Sequence, residues 1–471
     1  MYCRILFYKR RVKVKDYIKS GMPYYKRMLT IAVPIMIQMG ITNFVSMIDN
    51  IMVGRVGTLQ MTGVSIVNQI MMVFNLCIFG AMSGAGIFTS QFFGKKDDDG
   101  VRSTMQYKII AALLISAFGI GAFVSFGDTL VSFYLQGEGS AEDILQVAEY
   151  SRGYLKIMLL GILPFALSNV YSSSLRETND RIIPMVATLT AVFTNLILNY
   201  CLIFGNFGFP ELGINGAAIA TVIARFIELF ILLIWSHTHT KKYPFIKNLF
   251  SKFTMTRQDI GKITLITLPL LINEGLWSSG MAFLSQCYSI RGLDVVAAVN
   301  IVSTLSNVFN VVFISSGSAI GIIMSQLLGA KKKEEARNSS MKLIWFSVLL
   351  SAVIGLVMAI FSPIFPKIYN TTDTVRFIAT ELLFVVSFFM PVQSFTNGTY
   401  FTLRSGGKTV MTFIFDSGFV WLCSVPLAFV LSRFTSIPIL TLFITIQALD
   451  LLKCVLGYAF VKKGVWLNTV V

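Results

Sequence analysis

Apolar runs of about 20 residues recur along the whole chain, separated by short polar stretches, and each is long enough to cross a hydrocarbon core. Backbone polar groups facing lipid must be satisfied within the segment, so runs of this length are helices. The pattern predicts spans at 29–52, 60–90, 105–126, 152–174, 182–204 and 214–236. A second set follows at 262–287, 296–326, 341–362, 378–402, 409–432 and 437–460. The expected fold class is all-α integral membrane, with twelve transmembrane helices in two six-helix halves. Spans 60–90 and 296–326 exceed what a bilayer needs and should tilt or project into the cytoplasm. The expected organisation is a basic cytoplasmic tail (1–28), a first lobe (29–236), a cytoplasmic linker (237–261), a second lobe (262–460) and a cytoplasmic carboxyl-terminal tail (461–471).

The two halves resemble each other. Ser-Gln-Phe-Phe-Gly-Lys-Lys at 90–96 matches Ser-Gln-Leu-Leu-Gly-Ala-Lys at 325–331, an offset of 235. Ser83 with Ser318, Gly86 with Gly321 and Pro34 with Pro269 keep that offset, and Leu-Arg at 175–176 matches 403–404 at 228. Six helices per half is an even number, so both halves insert the same way up. They are then expected to be related by a pseudo-two-fold along the membrane normal, enclosing a central cavity.

Composition agrees. The 471 residues are 55% hydrophobic and 13% charged, with a mean hydropathy of +0.72, whereas a soluble chain carries about 25% charge. The net charge of +16 would suggest nucleic acid, but its distribution gives another reason. With the amino terminus inside, thirty lysines and arginines fall on the inner side and seven on the outer, with Arg225 and Lys453 inside helices. That is the positive-inside asymmetry, so no nucleic-acid partner is expected. The chain is expected in the cell (inner) membrane with both termini cytoplasmic. Its first 28 residues lack a cleavable signal pattern, so the first helix should act as an uncleaved anchor. The six cysteines are scattered singly and the two histidines, His237 and His239, share one loop, so neither a disulfide framework nor a metal centre is expected. Gly-Gly-Lys-Thr at 406–409 looks like the end of a phosphate-binding loop, but position 402, where the motif needs glycine, is Thr402. With no nucleotide motif, the energy for transport must come from an ion gradient.

Several motifs resemble the multidrug and toxic compound extrusion (MATE) family. Pro-Ile-Met-Ile-Gln at 34–38 and Met-Ile-Asp-Asn-Ile-Met-Val-Gly at 47–54 look like its first helix. Ser-Gln-Phe-Phe-Gly at 90–94 is similar to its second-helix end, and Leu-Arg-Glu-Thr-Asn-Asp at 175–180 to its fourth-helix loop. Asn-Leu-Ile-Leu-Asn-Tyr at 195–200, with the run 203–221, is the most specific match. Leu-Pro-Leu-Leu-Ile-Asn-Glu-Gly-Leu-Trp at 268–277 opens the second half as in bacterial members. The resemblance runs from about residue 29 to the end and implies an ion-coupled exporter of drugs.

Few ionisable groups lie inside the spans, and these are the candidate site. Asp49 is costly in a membrane helix unless it faces a wet cavity or a partner. It is either an interfacial residue at a helix end or a proton or sodium site, and the resemblance favours the second. Asn195 and Asn199, spaced i, i+4, share a face and offer amides to that carboxylate, with Thr221 as a further ligand; helix–helix hydrogen bonding explains them equally well. Where Asn199 stands, some members of the family have Asp, and its absence removes a charge from any sodium site. Glu274, beside Asn273 and three residues before Trp277, is placed mid-membrane, where it either takes up a proton or attracts a cationic drug over the Trp277 ring; the alternative is satisfaction by a neighbouring helix. Asp416, five residues before Trp421, either lines a second-half cavity or pairs with Arg404 or Lys408. Glu228 and Arg225 are most simply an intrahelical pair. Gln38 and Asn68 either line the cavity or bridge helices.

The expected function is therefore a proton- or sodium-coupled antiporter, with no other cofactor, exporting organic and mostly cationic drugs by alternating access, as a monomer in the lipid bilayer. The alternative is a flippase for a lipid-linked or other amphiphilic metabolite, which would need cationic groups in its cavity; the helices carry almost none. A membrane-embedded enzyme finds no cluster to support it.

Overall fold

The computed structural model describes residues 2–134, 141–251, 255–369 and 371–471, with side chains described from Gly21 onward apart from 133–134 and 141. We number its long helices α1 (Tyr2–Gly54), α2 (Thr58–Lys95), α3 (Asp98–Tyr134), α4 (Ala141–Leu160 and Ile162–Glu177), α5 (Ile182–Phe204) and α6 (Gly213–Thr238). The second six are α7 (Arg257–Ser289), α8 (Leu293–Gly329), α9 (Lys333–Phe361), α10 (Asp373–Ser405), α11 (Thr409–Phe434) and α12 (Ile439–Lys463). The two parts of α4 meet at a 44° bend. All twelve expected helices are present. Ten are apolar enough on their own to cross a membrane and the bent α4 is an eleventh. The twelfth, α7, is diluted by Asn273, Glu274, Ser278 and Ser279.

Expected and observed ends coincide for 182–204. Elsewhere the helices run longer than the apolar runs, because hydrogen bonding continues into polar segments that lipid does not touch. α2 closes on Lys95 and α9 opens on Lys333-Glu334-Glu335. The segment 1–28, expected as a tail, continues α1 as helix back to Tyr2. The segment after α6 is packed: Tyr243, Phe245, Ile246 and Leu249 are buried in the same apolar core as α2–α6. At the other end of the chain Trp466 is fully buried, and Asn468 Nδ2 donates to the Gly406 carbonyl at 3.3 Å. A Cβ at Gly406 would strike the Trp466 carbonyl, which gives the Gly-Gly turn a packing role.

The repeat is visible in the backbone. Lys96 and Lys331, at offset 235, both turn left-handed (φ 63° and 60°) just after α2 and α8. Gly57 and Gly292, at the same offset, precede those two helices with positive φ. Asn179 and Gly407, at offset 228, both take φ near 70° after α4 and α10 (70° and 71°). These are conformations that L side chains resist, so shared occurrence at these offsets marks one fold used twice.

The chain forms two compact units, Ile37–Ser278 and Met1–Met36 with Ser279–Val471. The cuts fall inside α1 and α7, so the leading part of each half's first helix belongs to the unit built by the other half. In the first unit this docking is made by small residues. Gly80 and Gly84, spaced i, i+4 on α2, leave no room for a side chain: a Cβ there would lie 2.8 Å from Leu271 Cα and 2.6 Å from Thr267 Cα of α7. This is the close backbone approach that drives helix association in lipid. In the second unit Arg27 donates to Gln326 Oε1 at 2.6 Å, Tyr24 donates to Glu335 Oε1 at 3.0 Å, and Tyr25 stacks on Phe346.

The linker is pinned electrostatically. Lys242 donates to Asp180 Oδ2 at 2.5 Å and Tyr243 donates to the same oxygen. Burial pushes the Asp180 carboxyl up, but the donors outweigh it and hold it below its usual range. Because its folded value is depressed, this stabilisation is present above the ordinary carboxylate value and is lost as pH falls through the folded one. Acid below about pH 4 should therefore loosen the 239–251 segment, read as faster hydrogen exchange there, and Asp180→Asn should reproduce the loosening at neutral pH. Gly84→Leu should lower thermal stability in detergent by about 1–3 kcal/mol through overpacking against Thr267, while a leucine at the open Gly121 position of α3, where a Cβ meets nothing within 4 Å, should not.

Candidate functional site

In the first unit, α1, α5 and α6 meet along a polar seam. Asn199 Nδ2 on α5 donates to Asp49 Oδ1 on α1 at 2.9 Å. Asn195, one turn earlier on α5, bridges Asp49 and Thr221 of α6. With its amide nitrogen toward α1, it donates to Asp49 Oδ2 at 2.9 Å while its oxygen accepts from Thr221 Oγ1 at 3.2 Å. Turned over, the nitrogen donates to Thr221 Oγ1 at 3.2 Å and the oxygen accepts from Asn199 at 3.3 Å. That second orientation sets two oxygens face to face, and it is tolerable only with a proton on Asp49 between them. Both asparagines are buried, and the Asn199 Oδ1 atom has no hydrogen-bond partner. The structure brings together Asp49, Asn195, Asn199 and Thr221 as a single site.

Gln38 belongs to a second level of the same seam. Its amide donates to Thr188 Oγ1 of α5 at 2.8 Å, and Thr188 donates to Glu228 Oε1 of α6 at 2.5 Å. Arg225 does not pair with Glu228 as the i, i+3 spacing suggested. It donates to the Gly161 carbonyl at 3.2 Å and lies 4.9 Å from the Phe165 ring centroid. It thereby ties α6 to the bend in α4, sharing the Gly161 carbonyl with the backbone amide of Phe165.

The remaining candidates are carried by other helices. Asn273 is buried, Glu274 half-buried and Trp277 exposed on α7, within the part of that helix that belongs to the first unit. Asn68 is exposed on α2 and joins none of these groups. Asp416, in the second unit, accepts from Lys453 Nζ of α12 at 3.3 Å, whereas Arg404 lies over the rings of Tyr400 and Phe401. Lys453 also sits 5.4 Å and 5.7 Å from the centroids of Phe415 and Phe419, and Asp450 is in electrostatic range of both partners. Around Asp416, α11 runs as two π-helical stretches, Ile414–Gly418 and Val420–Ser424, a geometry common at functional positions.

Sequence reasoning missed Asp450 and its place beside Lys453, although the i, i+3 spacing on an apolar helix was there to read. It also placed Lys108, at the start of the 105–126 span, among the inner-side basic residues. Lys108 is fully buried in α3 and pairs with Glu177 at 2.5 Å, assisted by Ser173 and Ser174.

The MatE family model matches this chain twice, over residues 34–201 and 269–431. The two matches begin at the equivalent prolines, Pro34 and Pro269. Among curated proteins, the chain is similar to the probable multidrug resistance protein NorM of Thermotoga maritima, with 24% identity over 94% of this chain and 93% of that one. It is likewise similar to the probable multidrug resistance protein YoeA of Bacillus subtilis, with 24% identity over 95% of each. Among solved structures, an outward-facing multidrug resistance MATE family transporter of the MOP superfamily superposes with a TM-score of 0.84 at 17% identity, covering 93% of this chain and 95% of that one. MATE in a straight conformation superposes with 0.83 at 18% identity, over 93% and 95%.

Removing Lys453 leaves Asp416 and Asp450 facing each other without a cation. Lys453→Met should therefore cost roughly 3 kcal/mol or more in unfolding stability, and the double variant Lys453→Met with Asp416→Asn should recover part of it, measured by thermal unfolding in detergent.

Proposed function

The chain belongs to the MatE family, a multi-pass membrane transporter and not an enzyme, and from that premise we propose that it exports organic cations in exchange for protons, with Asp49 as the coupling group. The observation that supports this most is the company Asp49 keeps. Its partners are the neutral amides of Asn199 and Asn195, and among the described residues no basic side chain pairs with it. A carboxylate in a membrane helix with no fixed counter-cation can be neutralised by a proton or by a bound cation, and that is the property an exchanger needs. The curated relatives carry multidrug resistance in their names, which supports drugs as cargo.

The proposed cycle follows from the seam. Protonation of Asp49 turns the Asn195 amide, changing what α1 donates to and accepts from α5 and α6. Pro34 interrupts the hydrogen-bond ladder of α1 fifteen residues earlier, so α1 has a weak point about which to shift. An ion drives such a change only through unequal affinity for the two states, and the two amide arrangements supply that inequality. The thirty-to-seven distribution of basic residues supports cytoplasmic termini, with Asp49 toward the outer side, where protons enter.

Sodium is the second reading. The unpartnered Asn199 Oδ1, with Thr221 Oγ1 and the carboxylate, offers oxygens to a small cation, but a single charge makes a weak site. The flippase reading has less support. Lys108 and Lys453 pair with carboxylates and Arg225 with a backbone carbonyl, so these three buried cations already have acceptors other than a phosphate.

Purified transporter in liposomes loaded with ethidium, with proton and sodium gradients imposed separately, tests the proposal. Efflux should follow the proton gradient and fall to the level of empty liposomes in Asp49→Asn. Full efflux by that variant removes Asp49 from the mechanism, and efflux driven by sodium alone selects the second reading.

A further inference from the structure

The mechanism above leaves Glu228 unused, although it is a carboxylate inside a membrane helix. Its surroundings repeat those of Asp49 at a second level. Gln38 and Asp49 are eleven residues apart on α1, and Thr188 and Asn199 are eleven apart on α5. Three turns of helix separate the members of each pair, which therefore share a face, roughly 16 Å apart along the axis. On α6, running the opposite way, Thr221 and Glu228 are seven residues apart, two turns on one face. At each level the three helices are joined through a carboxylate: Asp49 with Asn199, Asn195 and Thr221, and Glu228 with Thr188 and Gln38.

The groups between and around the levels are also laid out for a charge. Arg225 lies on α6 between Thr221 and Glu228, and Arg176 of α4 is in electrostatic range of Glu228. Tyr154 of α4, buried, is in electrostatic range of both Asp49 and Arg225. Thr188 links Glu228 to α1: its hydroxyl donates to the carboxylate and accepts from Gln38. A protonated Glu228 would instead donate to Thr188 Oγ1, and that hydroxyl would have to redirect its own proton.

We propose that Glu228 is a second proton-binding station, at the inner level of the seam, which exchanges the proton with the cytoplasmic side after Asp49 has taken it from outside. Thr188 is its positioning residue, linking its protonation to α1 through Gln38. The proton is neither created nor consumed: it enters on Asp49, leaves Asp49 ionised, resides on Glu228 and departs to inner water. This rests on the proton reading of Asp49, and the test separates the two.

Infrared difference spectra of the full chain in liposomes, titrated with pH, report each buried carboxyl as it gains its proton. Glu228→Gln should remove one protonated-carboxyl band and leave the band that Asp49→Asn removes. Thr188→Val, which keeps the carboxylate but takes away its hydrogen-bond partner, should shift the Glu228 band to higher frequency; it stands in should the glutamine variant fail to fold. A spectrum unchanged by Glu228→Gln, or a band indifferent to Thr188→Val, overturns the proposal. If Asp49→Asn removes no band while Glu228→Gln does, the Asp49 reading fails and this station stands. In transport, Glu228→Gln should fail to expel ethidium against its gradient when only pH drives it. Expulsion at the wild-type rate by that variant overturns the proposal. Wild-type liposomes that move no ethidium sink the efflux reading and leave the spectra to decide Glu228.

Discussion

A charge inside a membrane bundle must be compensated on the spot, because neither water nor a high dielectric is available to do it. The buried charges of this chain divide according to how that is done. Lys108 has Glu177, and Lys453 has Asp416 with Asp450 nearby. Arg225 has the Gly161 carbonyl at the bend of α4. Such fixed pairs hold helices together and have little reason to change in a cycle. Asp49 differs, since amides and not cations surround it. In the proposed cycle its compensation comes from outside the protein, as a proton.

The scaffold makes that local change consequential. Glycines at 80 and 84 bring α2 and α7 into backbone contact, and lipid supplies no hydrophobic drive of its own to hold helices together. Each unit is therefore packed by shape and by polar contacts, and the proposed cycle alters the hydrogen bonds of one helix. α1 is suited to be that helix. Its leading part belongs to one unit and its later part, with Gln38 and Asp49, to the other, and Pro34 lies just before the division.

The helices and their repetition were legible in the sequence because lipid imposes a one-dimensional rule: long apolar runs must be helical. The left-handed turns at Lys96 and Lys331 lie inside the very motifs whose repetition gave the offset. The Asp49 cluster was legible for a related reason, since Asn195 and Asn199 sit one turn apart on a short, well-bounded helix. What escaped reading depends on pairings between distant helices. Lys108 reads as an inner-side residue at the start of the 105–126 span, whereas its burial follows from Glu177 on another helix. Arg225 and Glu228 looked like partners because they are neighbours on α6, yet each found a better partner across the bundle. The bend at Gly161, which gives Arg225 its acceptor, lies inside a run read as one span, although Gly161 and Pro164 mark it in the sequence.

The central claim is that proton and drug compete for the same protein through the charge on Asp49. Proton release on binding ethidium, measured with the purified transporter in weakly buffered detergent, tests this without any gradient or membrane. The account predicts release in the wild type, fading at high pH as Asp49 is already ionised, and none in Asp49→Asn. Release that is unchanged in Asp49→Asn would contradict it.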